Sequence, residues 1–262
     1  MAAGRGSRMK EYAGNKTLLP LIPGESPFSG SRPILLNIIG SLPVGPKALI
    51  VNFRKDEMIA ATAGHELLYY EQPELNGTGG ALLAAETFLN DYPFENLIIT
   101  MGDVPFVKKE TYRKLMAALG DNSMVVLGFR PGDKKQYGVL ETDGQKVQRI
   151  TEWKYWQKYS KEKQAELTLC NSGIYAARKD DILNYIPVLA SKPQIVQKEV
   201  DGKTVDIKEY FLTDIIEYMV KDGLAVGCVV TDDESETMGI DDSTALIKAQ
   251  AIYRSKKSGC LG

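Results

Sequence analysis

The sequence has little histidine, little cysteine and no long apolar run. Its single histidine, His65, lacks the partners that imidazole catalysis needs, so we expect a loop residue without a catalytic role. The three cysteines, Cys170, Cys228 and Cys260, are widely spaced and include no Cys-x-x-Cys pair. This spacing argues against a disulfide framework or a zinc site and favours a reducing, cytoplasmic location. No apolar run approaches the ~20 residues of a membrane-spanning helix.

A strong net charge is absent as well. The chain has 32 Lys and Arg residues against 34 Asp and Glu residues, a formal charge of -2. This balance gives no electrostatic reason to expect nucleic acid or an acidic membrane as a partner. The N-terminus does not have the pattern of a signal peptide. With 44% hydrophobic and 25% charged residues, the 262-residue chain is typical of a globular protein with one large α/β domain or two smaller ones.

Short apolar runs alternate with amphipathic stretches, a pattern typical of a doubly wound α/β sheet. Strands are predicted at residues 48–53, 67–71, 97–101, 124–129, 169–177 and 225–230. Helices are predicted at residues 34–40, 56–63, 81–90, 109–119, 179–185, 213–221 and 243–255. Thr78 and Ser243 are candidate N-caps of two of these helices.

Three stretches depart from this alternation. Residues 131–151 are rich in turn residues and alternate in polarity, which predicts antiparallel strands laid against the main sheet. Residues 153–163, which are aromatic and basic, look inserted, and so do residues 187–208, with a predicted hairpin turn at Asp201-Gly202. We therefore expect a mixed sheet with a small antiparallel subregion beside it.

The first nine residues have the composition of a phosphate-binding loop. Gly4 and Gly6 let the backbone pass close to a polyphosphate, Arg8 adds a planar cation, and Lys16 follows. The segment is neither a Walker loop nor a complete dinucleotide fingerprint, and a Gly/Arg-rich N-terminus is also typical of a flexible tail. Such a loop normally follows a buried strand, whereas this sequence begins where that strand should end. We therefore expect either a sheet without its first strand or a start that lies farther upstream.

Two aspartates are candidate metal ligands. Asp103 directly follows a predicted strand, and a carboxylate at the carboxyl end of a strand suits a Mg²⁺ ion that also binds phosphate oxygens. Asp241 offers a second carboxylate if the fold brings it beside Asp103. The alternatives are a simple Asp turn at the first position and helix capping by Asp242 or Ser243 at the second.

A long polar loop, residues 71–80, follows another predicted strand. Gln72 carries an amide donor and acceptor, as the edge of a pyrimidine base requires, and the glycines around Gly77 and Thr78 let the backbone approach a base. A Gly-rich connector is the alternative. Because ligands bind at the carboxyl ends of parallel strands, we expect this loop, the opening loop and Asp103 to lie together.

The motifs of this chain also match a known family, in order and over nearly the whole length. They are Ala2-Ala3-Gly4-x-Gly6-x-Arg8-Met9, Lys16, Gln72, Gly77-Thr78-Gly79, Gly102-Asp103-Val104-Pro105, Tyr137-Gly138, Glu152-x-Lys154, Asn171-Ser172-Gly173, Glu209-Tyr210-x-Leu212-Thr213-Asp214 and Gly239-x-Asp241. With these motifs the chain resembles the sugar-1-phosphate nucleotidylyltransferases. The closest likeness is to the uridylyltransferase domain of N-acetylglucosamine-1-phosphate uridylyltransferase.

The resemblance implies a Mg²⁺-dependent uridylyltransferase that uses UTP and a sugar 1-phosphate, most simply N-acetylglucosamine 1-phosphate. By likeness, catalysis depends on Arg8, Lys16 and Asp103, and the Mg²⁺ ligands are Asp103 and Asp241. The implied substrate-binding residues are Ala2, Ala3, Gly4, Gly6, Gln72, Gly77 and Thr78 on the nucleotide side, with Gly138, Glu152, Asn171 and Thr213 on the sugar side.

The resemblance also implies a Rossmann-like nucleotidyltransferase fold that covers residues 1–262 as one domain, with sugar-side insertions at about residues 131–165 and 187–208. The β-helix acetyltransferase domain that often follows in this family has no counterpart in the sequence. We therefore expect no acetyltransferase activity.

Four features differ from the family pattern. The first strand is missing, Asn15 precedes Lys16 where proline is usual, Asp241 replaces the asparagine of the closest relatives, and Phe211 replaces a tyrosine. Two alternatives stay open: another transferase of the same fold, such as a molybdenum-cofactor guanylyltransferase or a cytidylyltransferase, and a non-catalytic nucleotide-sugar sensor. Retention of Arg8, Asp103 and Asp241 favours catalysis, because a binding protein would not need this set of phosphate and metal groups.

Overall fold

The computed structural model describes residues 1–4, 9, 11–200 and 203–258. In this part of the chain, the strands are β1 Pro20–Pro23, β2 Gly30–Pro33, β3 Ala48–Val51, β4 Leu68–Glu71, β5 Asn96–Ile99, β6 Met124–Phe129, β7 Val139–Asp143, β8 Lys146–Thr151, β9 Cys170–Arg178, β10 Gln194–Val200, β11 Lys203–Glu209 and β12 Val226–Thr231. The helices are α1 Ile34–Ser41, α2 Lys55–Ala61, α3 Gly77–Leu83, α4 Glu86–Asp91, α5 Lys109–Ala117, α6 Trp153–Trp156, α7 Lys161–Glu166, α8 Lys179–Ser191, α9 Leu212–Lys221 and α10 Ser243–Ser258. None of these helices is both long enough and apolar enough to cross a membrane.

The main sheet has six strands in the order β5-β9-β6-β12-β8-β7 and is mixed. β12 runs parallel to β6, whereas β9 lies antiparallel between β5 and β6. Every residue of β6 is buried, because helices cover both faces of the sheet. Met124 and Val126 pack beneath α3, α4, α8 and α9, while Val125 and Leu127 pack beneath α5. This arrangement confirms the predicted doubly wound, mixed α/β fold.

The strands on either side of the opening residues lie in two separate sheets. β3 and β4 form a separate parallel pair, so β3 and β5 are each an edge strand of their own sheet. Residues 1–3 connect these two edges at their carboxyl ends only. Beneath this connection lies an apolar cleft of about 230 Å³, with Ile50 and Ile98 on the two strands and Leu82 and Phe88 on the helices above.

The antiparallel subregion is present where the sequence predicts it. β7 and β8 form a hairpin within the main sheet, in which β8 pairs with β12 and β7 also pairs with β9. The second predicted insertion contains the antiparallel pair β10 and β11. Its predicted turn, Asp201-Gly202, lies outside the described residues.

Two predicted helices differ from the structure. The segment predicted as one helix at 81–90 forms α3 and α4, and α3 begins at Gly77, so Thr78 lies inside it. The prediction of Thr78 as an N-cap is wrong, because its hydroxyl accepts a hydrogen bond from the backbone N–H of Leu212. For the last helix, Asp242 provides the cap by accepting from the N–H of Ala245.

α8 is longer than predicted and passes through Pro187, where the sequence suggested the start of an insertion. Ile182, Ile186 and Leu189 form a buried stripe along this helix. Burial of these side chains offsets the ~3 kcal/mol that a proline inside a helix costs. The short hairpin β1–β2 was not predicted, because its prolines are compatible only with strand ends and edges.

Candidate active site

The opening residues lie at the carboxyl ends of β3 and β5. The amine of Met1 donates to the carbonyl of Thr100 (2.8 Å), and the Met1 carbonyl accepts from the N–H of Gly102 (2.7 Å). On the other side, the N–H of Ala2 donates to the carbonyl of Ile50 (3.0 Å). A Cβ at position 102 would lie 2.8 Å from the Cβ of Ala2, so this close approach requires Gly102.

A cavity of about 310 Å³ opens between these residues and the loop that follows β4. It brings together eight of the residues that the sequence predicts for the site: Ala2, Ala3, Gly4, Lys16, Gln72, Gly77, Thr78 and Asp103. The predicted residues Gly6 and Arg8 lie outside the described residues. The predicted meeting of the three polar segments at the carboxyl ends of the strands is therefore present in the structure.

The ammonium of Lys16 lies between two carboxylates. Its Nζ is 2.5 Å from Asp103 Oδ2 and 3.1 Å from Asp241 Oδ1. The side chains of Lys16 and Asp103 are 14% and 21% exposed, whereas that of Asp241 is 49% exposed. Burial lowers the pKa of Lys16, but the Asp103 and Asp241 carboxylates outweigh it and raise the pKa above its ordinary value. Lys16 is therefore a cation at neutral pH.

Asn15 fixes the position of Lys16. Its side chain is buried and caps the 3-10 turn Lys16–Leu18 by accepting from the backbone N–H of Thr17 at 3.0 Å. The same side chain donates to the carbonyl of Phe53, just beyond β3 (2.9 Å). Asparagine in place of the usual proline thus links the lysine turn to the sheet.

A single backbone contact brings the second aspartate to the first. The N–H of Ile240 donates to the carbonyl of Asp103 at 3.0 Å, which places Asp241 beside Asp103. A metal-binding role for Asp241 requires this proximity. The structure meets that condition.

Asp103 and Asp241 fit a divalent cation in donor chemistry and placement. Their oxygens converge on one cationic atom, Lys16 Nζ, and carboxylate oxygens are ligands that Mg²⁺ prefers. Among the described residues, no group of three or more His, Cys, Asp or Glu side chains could hold a metal ion. A Mg²⁺ ion at this pair would therefore take its other ligands from phosphate oxygens and water, as Mg²⁺ commonly does in nucleotide sites.

Gln72 is buried at the edge of the cavity, and its amide holds the loop after β4 in shape. The Nε2 group donates to Asn76 Oδ1 (2.9 Å) and to the carbonyl of Gly77 (3.0 Å). A Cβ at position 80 would lie 1.7 Å from Asn76 Oδ1, so Gly80 makes room for this network. With both amide hydrogens donated to the loop, the carbonyl oxygen is the group that Gln72 can offer to a base. This corrects the expectation that it would present both a donor and an acceptor.

The predicted sugar-side residues form a second cluster. The carbonyl of Gly138 accepts from the N–H of Asn171 (2.8 Å), and the hydroxyl of Thr213 donates to Glu152 Oε1 (3.4 Å). A Cβ at position 138 would lie 3.4 Å from Glu152 Oε2, so the glycine and the carboxylate are neighbours. Burial raises the pKa of Glu152, against the lowering effect of the Thr213 hydrogen bond and Lys154.

The Asn171 side chain is held within the protein. Its Nδ2 donates to the hydroxyl of Tyr175 (2.9 Å), and its Oδ1 accepts from the N–H of Gly173 (3.0 Å). Of the four sugar-side residues, Glu152 and Thr213 are therefore the better candidates for side-chain contacts with a ligand. Gly138 offers only backbone.

A short segment that precedes and begins α9 joins the two clusters. The carbonyl of Tyr210 accepts from the N–H of Gly79 (2.8 Å), and Thr213 reaches Glu152 at the far end. Glu209, which is buried, lines the nucleotide-side cavity. No role for Glu209 was predicted, although it stands in one of the motifs that carry the family resemblance and could have been found there.

Two further residues that the sequence singled out are His65 and Phe211. His65 is exposed in the turn after α2, as predicted for a loop residue. The ring of Phe211, which replaces the family tyrosine, lies 5.7 Å from Lys154 Nζ in a cation–π contact.

Comparison with known proteins places this chain in a family. The model of the MobA-like NTP transferase domain matches residues 1–165. Among curated proteins, the chain is 32% identical over 260 residues to the bifunctional protein GlmU of Sphingopyxis alaskensis, covering 97% of this chain and 51% of the relative. It is 30% identical over 267 residues to the GlmU of Jannaschia sp., covering 100% of this chain and 53% of the relative. The chain thus spans about half the length of these curated relatives.

Solved structures share the fold at lower identity. A protein from Bacillus anthracis described as a glucose-1-phosphate thymidylyltransferase superposes with a TM-score of 0.68 at 19% identity, over 97% of this chain and 93% of that one. A protein from Entamoeba histolytica described as a UDP-N-acetylglucosamine pyrophosphorylase superposes with a TM-score of 0.67 at 14% identity, over 93% of this chain and 75% of that one. These two likenesses confirm the nucleotidyltransferase fold predicted from the motifs.

Proposed function

Because the chain belongs to the family of MobA-like NTP transferase domains, we propose that it transfers a uridylyl group from UTP to a sugar 1-phosphate, giving a UDP-sugar and pyrophosphate. N-acetylglucosamine 1-phosphate is the proposed sugar substrate. The observation that carries this proposal is the convergence of Asp103, Asp241 and Lys16 on one point beside the Gln72 cavity. Relatives named GlmU, which match nearly the whole chain, support the choice.

In the proposed reaction, an oxygen of the sugar phosphate attacks the α-phosphorus of UTP. A new P–O bond forms between this oxygen and the α-phosphorus. The bond between the α-phosphorus and the oxygen that bridges it to the β-phosphorus breaks, and pyrophosphate leaves with that electron pair. The attacking phosphate is ionised at neutral pH, so no general base is needed. This agrees with a site made of carboxylates and an ammonium.

This chain's residues would act by position and charge. Backbone of residues 1–4 and the Gln72 carbonyl would hold the base, and Lys16 would neutralise phosphate charge. Asp103 and Asp241 would hold Mg²⁺, which when bound supplies positive charge to the phosphate oxygens. Glu152 and Thr213 would hold sugar hydroxyls or the acetamido group.

The test is pyrophosphate release by the purified protein with Mg²⁺. UTP, CTP, GTP, ATP and dTTP are each supplied with a panel of sugar 1-phosphates. Release with UTP and N-acetylglucosamine 1-phosphate is the expected result. Preference for another pair would reassign the substrates within the family, and nucleotide binding without release from any pair would overturn catalysis in favour of a sensor.

A further inference from the structure

We propose that the Lys16 ammonium occupies the metal position in the nucleotide-free protein and must leave it before a divalent cation can bind. Lys16 would thus make metal binding conditional on nucleotide binding. The proposal rests on the proposed function only in taking Asp103 and Asp241 as the metal ligands.

The two carboxylates hold the Lys16 nitrogen between them. Asp103 Oδ2 and Asp241 Oδ1 both accept a hydrogen bond from the same nitrogen, at 2.5 and 3.1 Å. A Mg²⁺ ion bound to the same two oxygens would need that space, because its bonds to oxygen are only ~2.1 Å long. Two cations at one point repel each other strongly in a partly buried site. Lysine and metal are therefore alternatives at this position.

Lys16 has a route by which it can leave. Its side chain also lines the cavity that contains Gly4, Gln72 and Thr78. A triphosphate bound there would offer a second set of anionic oxygens to the same ammonium. The lysine can then exchange carboxylate partners for phosphate partners without losing its charge compensation, and the carboxylates become available to the metal.

A consequence follows from linkage. If a triphosphate draws Lys16 away from Asp103 and Asp241, it raises the affinity of the pair for a divalent cation, and the cation raises the affinity for the triphosphate by the same factor. The free protein would bind the cation weakly. Nucleotide and metal would then bind cooperatively.

The experiment measures Mn²⁺ binding to nucleotide-free protein by electron paramagnetic resonance of the free ion. Lys16→Met keeps the length of the side chain and removes its charge, so the variant is expected to bind Mn²⁺ about tenfold more tightly than the parent protein. Lys16→Arg keeps the charge and should bind as weakly as the parent. Lys55→Met is the matched control, since the carboxylate that Lys55 pairs with is Glu71 rather than Asp103 or Asp241, and should change nothing.

Two double variants distinguish removal of the Lys16 ammonium from the metal position from a general change in the charge of the protein. Adding Asp103→Asn or Asp241→Asn to Lys16→Met should abolish the gain in Mn²⁺ affinity. Unchanged or weaker Mn²⁺ binding by Lys16→Met, or a gain that survives both double variants, would overturn the proposal. Should Lys16→Met fold poorly, the rise in melting temperature caused by Mn²⁺ is compared in Lys16→Gln and the parent, with a larger rise expected in the variant. None of these readouts uses turnover, so they can succeed even where the pyrophosphate assay fails.

Discussion

The two sides of the candidate site are built differently. The nucleotide side consists of backbone held at the ends of strands, with one ammonium between two carboxylates. The sugar side, around Glu152 and Thr213, consists of hydrogen bonds supported by the antiparallel strands β7, β8 and β9. The pairing of full charges is therefore concentrated where the phosphates would react, whereas hydrogen bonds line the part that would bind the sugar. Substitutions on the nucleotide side should therefore lower turnover, whereas substitutions on the sugar side should raise the KM for the sugar phosphate.

The largest expected effect is on the charged side. Asp103→Asn should lower turnover by about 10³-fold or more with every sugar phosphate, because it removes the negative charge of one of the two proposed Mg²⁺ ligands. Pyrophosphate release at saturating substrates measures this loss. Asp143→Asn, at the exposed end of β7, is the control and should retain normal turnover. An Asp103→Asn protein within about threefold of the parent's turnover would remove Asp103 from the chemistry.

The next effect should appear on the sugar side alone. Thr213→Val removes the hydroxyl that donates to Glu152, and we expect KM for the sugar phosphate to rise about tenfold. The KM for UTP should change little. Steady-state kinetics with each substrate varied in turn makes the comparison, with the exposed Thr168→Val as control. Equal rises in both KM values would show that the two sides do not act separately.

A third prediction concerns the stability of the sugar-side hairpin. Burial raises the pKa of Glu141, but hydrogen bonds from Arg149, Thr151 and Tyr159 outweigh it and lower the pKa to about 2. The folded state therefore favours the ionised carboxylate, and this contribution is present above the unfolded pKa near 4.5 and is lost as pH falls through about 2.

Glu141→Gln should accordingly cost about 1–2 kcal/mol of unfolding free energy at pH 7. The difference from the parent should shrink as pH falls towards 2. Urea unfolding at pH 7, 4 and 2.5 tests this, with the exposed Glu25→Gln as control. A difference that stays constant over this pH range would mean that the charge of Glu141 contributes nothing.

The smallest expected effect is on the cleft beneath the nucleotide side. Fusing five apolar, β-branched residues ahead of Met1 should let them pair with the facing edges of β3 and β5. An increase of about 1 kcal/mol in the free energy of unfolding would raise the melting temperature by about 2–4 °C. A Gly-Ser extension of equal length is the control. The same melting temperature in both proteins would show that the cleft does not accept a strand.

The sequence predicts much of this site because local patterns place its parts. Asp103 and Gln72 each follow an apolar run of strand length, and the rule that ligands bind at the carboxyl ends of strands brings them together. The contact between Ile240 and Asp103, which brings Asp241 into the site, joins distant segments and has no local signal. For the same reason the passage of α8 through Pro187 was not predicted, since the buried stripe that permits it depends on tertiary packing.

The positions of Lys16, Asp103 and Asp241 along the chain have a consequence for folding. Lys16 and Asp241 are separated by 225 residues, and the Met1 amine is bound to a carbonyl 99 residues away. Contacts between residues this distant in sequence form slowly. A long loop must first close, and the chain loses conformational entropy before the contacts can stabilise the closed loop. During synthesis, an emerging chain can complete the sheet core while the two carboxylates are still apart. The two carboxylates are then brought together only after the segment just ahead of α10 has been made and Ile240 has reached Asp103.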